Sequence, residues 1–165
     1  MRSIPGFALA AAAIALWSSA GFAQDLEAIK RQAGAEFARE VTTCSAYFLI
    51  RMEFLRNGGR NNYILMTELM ADKMIQRAEQ LMPAEKAQTD IRAEGLRLLK
   101  EIGNDIRNIA ALNEKYGVTC HAVYAEPDAR LAWWVETVRS GGATKAGEQA
   151  GGPERQSTGH RADIP

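Results

Sequence analysis

Few residues in this sequence could do chemistry, and two of them are neighbours. The chain of 165 residues has two cysteines, Cys44 and Cys120, and two histidines, His121 and His160. Cys120 and His121 sit together in Val118-Thr119-Cys120-His121. That pair admits three readings: a haem-attachment site, one arm of a disulfide, or a catalytic pair. Covalent haem attachment calls for Cys-x-x-Cys-His, and Gly117 holds the place of the first cysteine. A catalytic reading would want a lone reactive thiol with a distant histidine, and Cys44 supplies a second thiol instead. Two cysteines with none left over, in a chain that carries an export signal, are read as one bridge. By the chain-entropy argument a bridge closing so long a loop is worth about 4 kcal/mol.

Met66, Met70 and Met74 stand one helical turn apart and Met82 continues the row. Thioethers so placed are soft ligands that suit Cu(I), but methionine at helical spacing is flexible apolar filler, and that is the reading taken here. Neither histidine has partners at zinc-ligand spacing. Glu40 and Arg51, 11 residues apart, project within about 20° of each other on a helical wheel. With Tyr47 and His121 they would line a polar pocket; as solvated or paired charges they would merely flank the core. No nucleophile elbow and no phosphate-cradling glycine loop occurs. No catalytic, cofactor-binding or metal-ligating residue is assigned, and the chain is read as no enzyme.

These residues must be positioned by elements, and the ends of the chain are set apart first. Arg2, the apolar run Phe7 to Trp17, and the small residues leading to Gly21-Phe22-Ala23 form an export signal over residues 1–23. Cleavage falls before Gln24, with the bond after Ala20 as second choice. The run of 11 is short of the ~20 residues a spanning helix needs. At the other end, residues 140–165 are rich in glycine and hold a single bulky aliphatic, Ile164. Such a stretch cannot offset its ordering entropy and is expected to be a disordered tail. Between them, 24–139 carries 16 basic and 17 acidic residues. A balance so near neutral argues against nucleic acid or anionic lipid as partner, and no membrane insertion is expected once the signal is removed. The expected location is the periplasm or the medium.

The body reads as helix after helix. Leu26, Ile29, Ala33, Phe37, Val41, Cys44, Phe48, Met52 and Leu55 recur at steps of three and four, with Asp25 as cap and Gly58-Gly59 as stop. A second helix runs from about Asn62 to Met82 with Tyr63, Met66, Met70, Met74, Ala78 and Leu81 on one side, ended by Pro83. A third spans Ala84 to Tyr116 on Ile91, Leu98, Ile102, Ile106 and Ile109, with Gly95 and Gly103 interrupting it and Gly117 as C-cap. A short segment with Cys120 follows, then a last helix opened by Pro127 and Asp128 with Leu131, Trp134, Val135 and Val138 on one face. The prediction is an all-α bundle of three long and one or two short helices, about 115 residues around one core, stapled by Cys44–Cys120.

One apolar feature exceeds what a single face needs. Leu49 and Ile50 point away from the Cys44 and Phe48 row, and the adjacent Trp133 and Trp134 cannot share one face. Burial by further helices is one explanation. The other makes Leu49, Ile50, Trp133 and Trp134 a candidate interaction surface for a protein partner or a homodimer.

The stretches "TTCSAYFLI", "NEKYGVTC" and "EPDARLAWW" resemble a loose group of small exported helical proteins of gram-negative bacteria. There an early Cys, followed by a small residue and an aromatic, pairs with a later Tyr-Gly-x-x-Cys. The resemblance covers most of 40–135 and implies structure without an assigned activity. A fainter similarity is to the acid-stress periplasmic chaperones, which share the "TC" and aromatic-Leu step, one disulfide, and an acidic or Asp-Pro turn before a short Trp-bearing helix. This chain departs from them in longer helices, more widely spaced cysteines and the Gly-rich tail. The expected function is a binding or structural accessory role. The alternative is an acid-stress chaperone, and an enzyme of unrecognised type ranks third.

Overall fold

A computed structural model describes residues 10–58 and 61–142, with side chains from Asp25 to Gly58 and from Asn62 to Gly142. Among these residues the chain forms five α-helices and no strand: α1 (Ala10–Asn57), α2 (Asn61–Leu81), α3 (Ala84–Glu101), α4 (Ile109–Ala125) and α5 (Pro127–Arg139). A 3-10 turn at Ile106–Asn108 joins α3 to α4. No helix among the described residues is long and apolar enough to cross a membrane. The export signal assigned to 1–23 lies outside the described residues over 1–9, and the tail assigned to 140–165 does so from 143 on.

The C-terminal half of α1 is the axis of the fold. From Val41 to Ile50 every position except Thr43 and Leu49 is buried, and α1 touches all the other helices. The stretch VTTCSAYFLI has no charged residue, and a helix apolar on all sides must be buried on all sides. Two of its hydroxyls are satisfied within the helix: Thr42 Oγ1 donates to the Ala38 carbonyl and Ser45 Oγ to that of Val41, each at 2.9 Å. This explains the apolar surplus around Leu49 and Ile50. α2 packs along α1, with Arg56 of α1 paired to Glu68 of α2 at 3.7 Å.

Three expectations are corrected. α1 does not begin at Asp25, since its backbone runs on from Ala10; the Ala-rich stretch ahead of Asp25 has high helix propensity of its own. The inward row of α2 is Thr67, Ala71, Met74 and Ala78, while Tyr63, Met66 and Leu81 are exposed. Small side chains at 67, 71 and 78 let α2 lie close on α1, so the phase follows the small residues and not the bulkiest ones. The third helix does not run to Tyr116. It stops at Glu101, with Gly103 and Asn104 at φ 69° and 56°. There the Asn104 N–H reaches the Leu99 carbonyl at 2.7 Å and the Gly103 N–H that of Lys100 at 3.0 Å. This is a Schellman closure, with Gly where the left-handed residue is needed. Asp105 then caps the 3-10 turn, its carboxylate accepting from the Arg107 N–H at 3.0 Å.

α4 consequently starts later and ends later, and Gly117 and Cys120 lie inside it, buried. Gly117 is no cap: a Cβ there would stand 3.4 Å from Tyr47 Oη, so glycine permits the close approach of α1. Cys44 and Cys120 are bridged with their Cα atoms 5.1 Å apart, which pins the C-terminal half of α4 to that of α1. α5 opens on Pro127 with Asp128 in its first turn and Arg139 in its last, all favourable places. It closes as α3 does, with Gly141 at φ 73° and the Gly142 N–H bonded to the Thr137 carbonyl at 2.9 Å.

Candidate functional site

The polar groups singled out near Cys44 come together in part. Tyr47, wholly buried, donates its hydroxyl to Asn113 Oδ1 at 2.8 Å and accepts from Arg51 Nη1 at 3.2 Å. Arg51 Nη1 also lies 3.4 Å from His121 Nε2, and the imidazole stands edge-on to Phe48, ring centres 5.7 Å apart. Burial, with the Arg51 charge beside it, pushes the His121 pKa below its ordinary value. The neutral ring can therefore accept from the guanidinium. Arg51, Tyr47, Asn113 and His121 form a hydrogen-bonded seam between α1 and α4, alongside the disulfide. With both sulfurs in the Cys44–Cys120 bond, Cys120 has no thiol for haem attachment or nucleophilic attack.

Glu40 stands apart from this seam. It shares a wheel direction with Arg51, but 11 residues carry it about 16 Å along the axis. Its carboxylate meets α5: Arg130 Nε donates at 2.9 Å and Trp134 Nε1 at 2.9 Å, both to Oε2. The Arg130 guanidinium lies over the Trp133 ring, 3.9 Å from its centre, and the two tryptophans meet edge to face at 4.9 Å. This cluster latches α5 onto α1.

A second charged network ties α3, α4 and α1. Arg97 bonds Glu94, Glu101 and the Tyr116 hydroxyl, Lys115 reaches Glu101 at 2.6 Å, and Thr43 Oγ1 donates to Glu94 at 2.8 Å. Burial pushes Glu94 up, but the bonds from Arg97 and Thr43 outweigh it and hold its pKa below the ordinary carboxylate value. Glu101 is likewise held down, the donors Lys115 and Tyr116 overcoming its burial. The sequence signal was present in the 94, 97 and 101 spacing on one helix face. The share of Tyr116 and Thr43 was not legible, since it depends on how the helices pack.

The other candidates distribute as follows. Met74 is buried, Met70 and Met82 pack against the core, and Met66 is exposed, so the four thioethers face both core and solvent. Among the described residues no group of three His, Cys, Asp or Glu could hold a metal ion. Leu49 is half-buried and Ile50 buried, and both line a groove between α1, α2 and α3. Trp134 is buried and Trp133 is 44% exposed. Leu65 (67%) and Leu69 (46%), which the sequence reading did not single out, lie with Met66 (53%) on the outward side of α2, and Tyr63 (64%) is exposed at its start. The run Tyr63-Ile64-Leu65-Met66 could have signalled them, because four consecutive apolar residues cannot share one face of a helix.

No protein-family model matches the chain, and no curated protein or solved structure is similar to it. The chain is thus described by what its coordinates show, a small all-helical domain with one disulfide.

Proposed function

We propose that the chain is an exported module that works by binding a protein partner, without a cofactor, through the outward face of α2. The observation that carries this reading is the row Leu65, Met66 and Leu69, each more than two-fifths exposed on one face of the helix. Methionine is enriched at protein interfaces, and an apolar patch left in water marks a place for association. The bridge between Cys44 and Cys120 supports an oxidising compartment. The test is affinity capture from periplasmic extract with the tagged wild type and a Leu65→Glu/Leu69→Glu variant. A specific protein retained by the wild type and lost by the variant supports the reading, as does a concentration-dependent dimer abolished by the same changes. Equal capture by both proteins, or no capture from a strictly monomeric protein, removes it.

A second reading, an acid-stress chaperone, is favoured by the Glu94, Glu101 and His121 contacts. All three weaken on protonation, and all three join helices that cover apolar surface. It requires dye-detectable apolar surface and client protection to appear between neutrality and about pH 3.

A further inference from the structure

The groove that Leu49 and Ile50 line is separate from the outward face of α2. It has a volume of about 380 Å³ and is walled by Ala46, Leu49 and Ile50 of α1, Ile75 of α2, and Ile91 and Gly95 of α3. That is the low end of the range in which small ligands are held. Its polar groups are two, Gln88 and Arg92, both from α3. Gln88 is already engaged, its Nε2 donating to Glu79 at 3.2 Å. Arg92, like the exposed Arg31, has no hydrogen-bond or ion-pair partner among the described residues, whereas Arg39, Arg97, Arg107 and Arg139 each hold a carboxylate. Gly95 leaves the wall open: a Cβ built there meets nothing within 4 Å.

An apolar trough with one free guanidinium at its edge is complementary to a particular chemistry. The trough removes hydrocarbon from water, and the guanidinium takes an anionic head through charge-assisted hydrogen bonds. We propose that this groove is a binding site for a small amphipathic carboxylate, an alkyl chain of medium length whose head group pairs with Arg92. A partner's peptide would need a longer trough; the dimensions favour a single short chain. The site does not depend on the α2 face, so either can fail without the other.

The probe is decanoate, kept below its micelle concentration and titrated into the purified oxidised protein, with amide shifts and calorimetry as readouts. Saturable binding is expected, with the largest shifts at Ile50, Ile91 and Gly95. Decylammonium should bind at least about ten-fold more weakly, and Arg92→Gln should weaken decanoate by a similar factor. Gly95→Leu should abolish binding while leaving the helical circular dichroism unchanged, because the new side chain occupies open space. Ala93→Gln, exposed on the side of α3 turned away from the groove, should bind as the wild type does. The absence of saturable binding, an equal preference for the ammonium, or an equal loss in Ala93→Gln would overturn the proposal. So would shifts confined to α2 residues 63–69, which would place the amphiphile on the outward face instead.

Discussion

Glu40 holds α5 through donors from two residues and is itself only 13% exposed, with Arg130 at 19%. A carboxylate this enclosed contributes less through charge than through what its removal strands. Glu40→Ala leaves the Arg130 guanidinium and the Trp134 indole N–H without their acceptor, and should cost about 2–3 kcal/mol in urea denaturation. Trp134→Phe keeps most of the apolar bulk and deletes one donor, so it should cost about 1 kcal/mol. A Glu40→Ala midpoint within a few tenths of a kcal/mol of wild type would mean that α5 is held by apolar packing alone. A helical wheel sets Glu40 beside Arg51 because it tracks direction and ignores rise. No sequence rule links Glu40 to a partner 90 residues away.

At the scale of elements, the glycines of α3 and α4 separate three physical situations. Gly95 is inside a helix with open space where a Cβ would stand, Gly103 sits at φ 69°, and Gly117 faces Tyr47 Oη at 3.4 Å. Gly95→Ala should therefore raise stability by about 0.5–1 kcal/mol through helix propensity. Gly103→Ala should lower it by about 1–2 kcal/mol, because the left-handed region penalises a Cβ. Gly117→Ala should fall between them, its propensity gain opposed by the contact with the tyrosine. Denaturation midpoints that fail to rank in this order would show that these environments are misassigned.

The same three positions show what could be read in advance. Pro83 and Pro127 mark boundaries through their own stereochemistry, so the start of α3 and of α5 were legible. The break after Glu101 was written in Gly103-Asn104-Asp105, a stop followed by a cap, but the row of isoleucines continues across it and hid it. The helical state of Gly117 was not legible, because it is set by the tyrosine packed beneath it. The phase of α2 was misread in part for a related reason: Met74 and Ala78 face inward as expected, but close packing chose Thr67 and Ala71 over Tyr63, Met66 and Leu81. Of the candidate interaction residues, the adjacency of Trp133 and Trp134 required them to differ in direction. Only packing could say that Trp134 meets Glu40 while Trp133 lies beneath Arg130.

For the whole molecule, three ties hold the helices around α1: the bridge to α4, the Glu40 latch to α5, and the charged network joining α3, α4 and Thr43. Acid acts on them unequally. His121 has a folded-state pKa below its unfolded value near 6.5, so the native state prefers the neutral ring. Its contribution is complete above that pH and is lost as pH falls through the folded value. Glu94 and Glu101 are depressed below 4.5, so their contribution is complete above 4.5 and is lost as pH falls through their lower native values. The urea midpoint of the oxidised protein should thus be level above pH 6.5, decline modestly below it, and decline more steeply below 4.5. His121→Gln should flatten the first limb and leave the second. Glu94→Gln/Glu101→Gln should flatten the second and leave the first. The bridge does not titrate, so α1 and α4 stay joined while α3 loosens from them. Dye binding should then rise on the second limb without loss of helical circular dichroism. A midpoint that is constant from pH 6.5 to 3, or dye binding that appears only when the helices melt, would leave the charged network without a role in acid and would remove the chaperone reading with it.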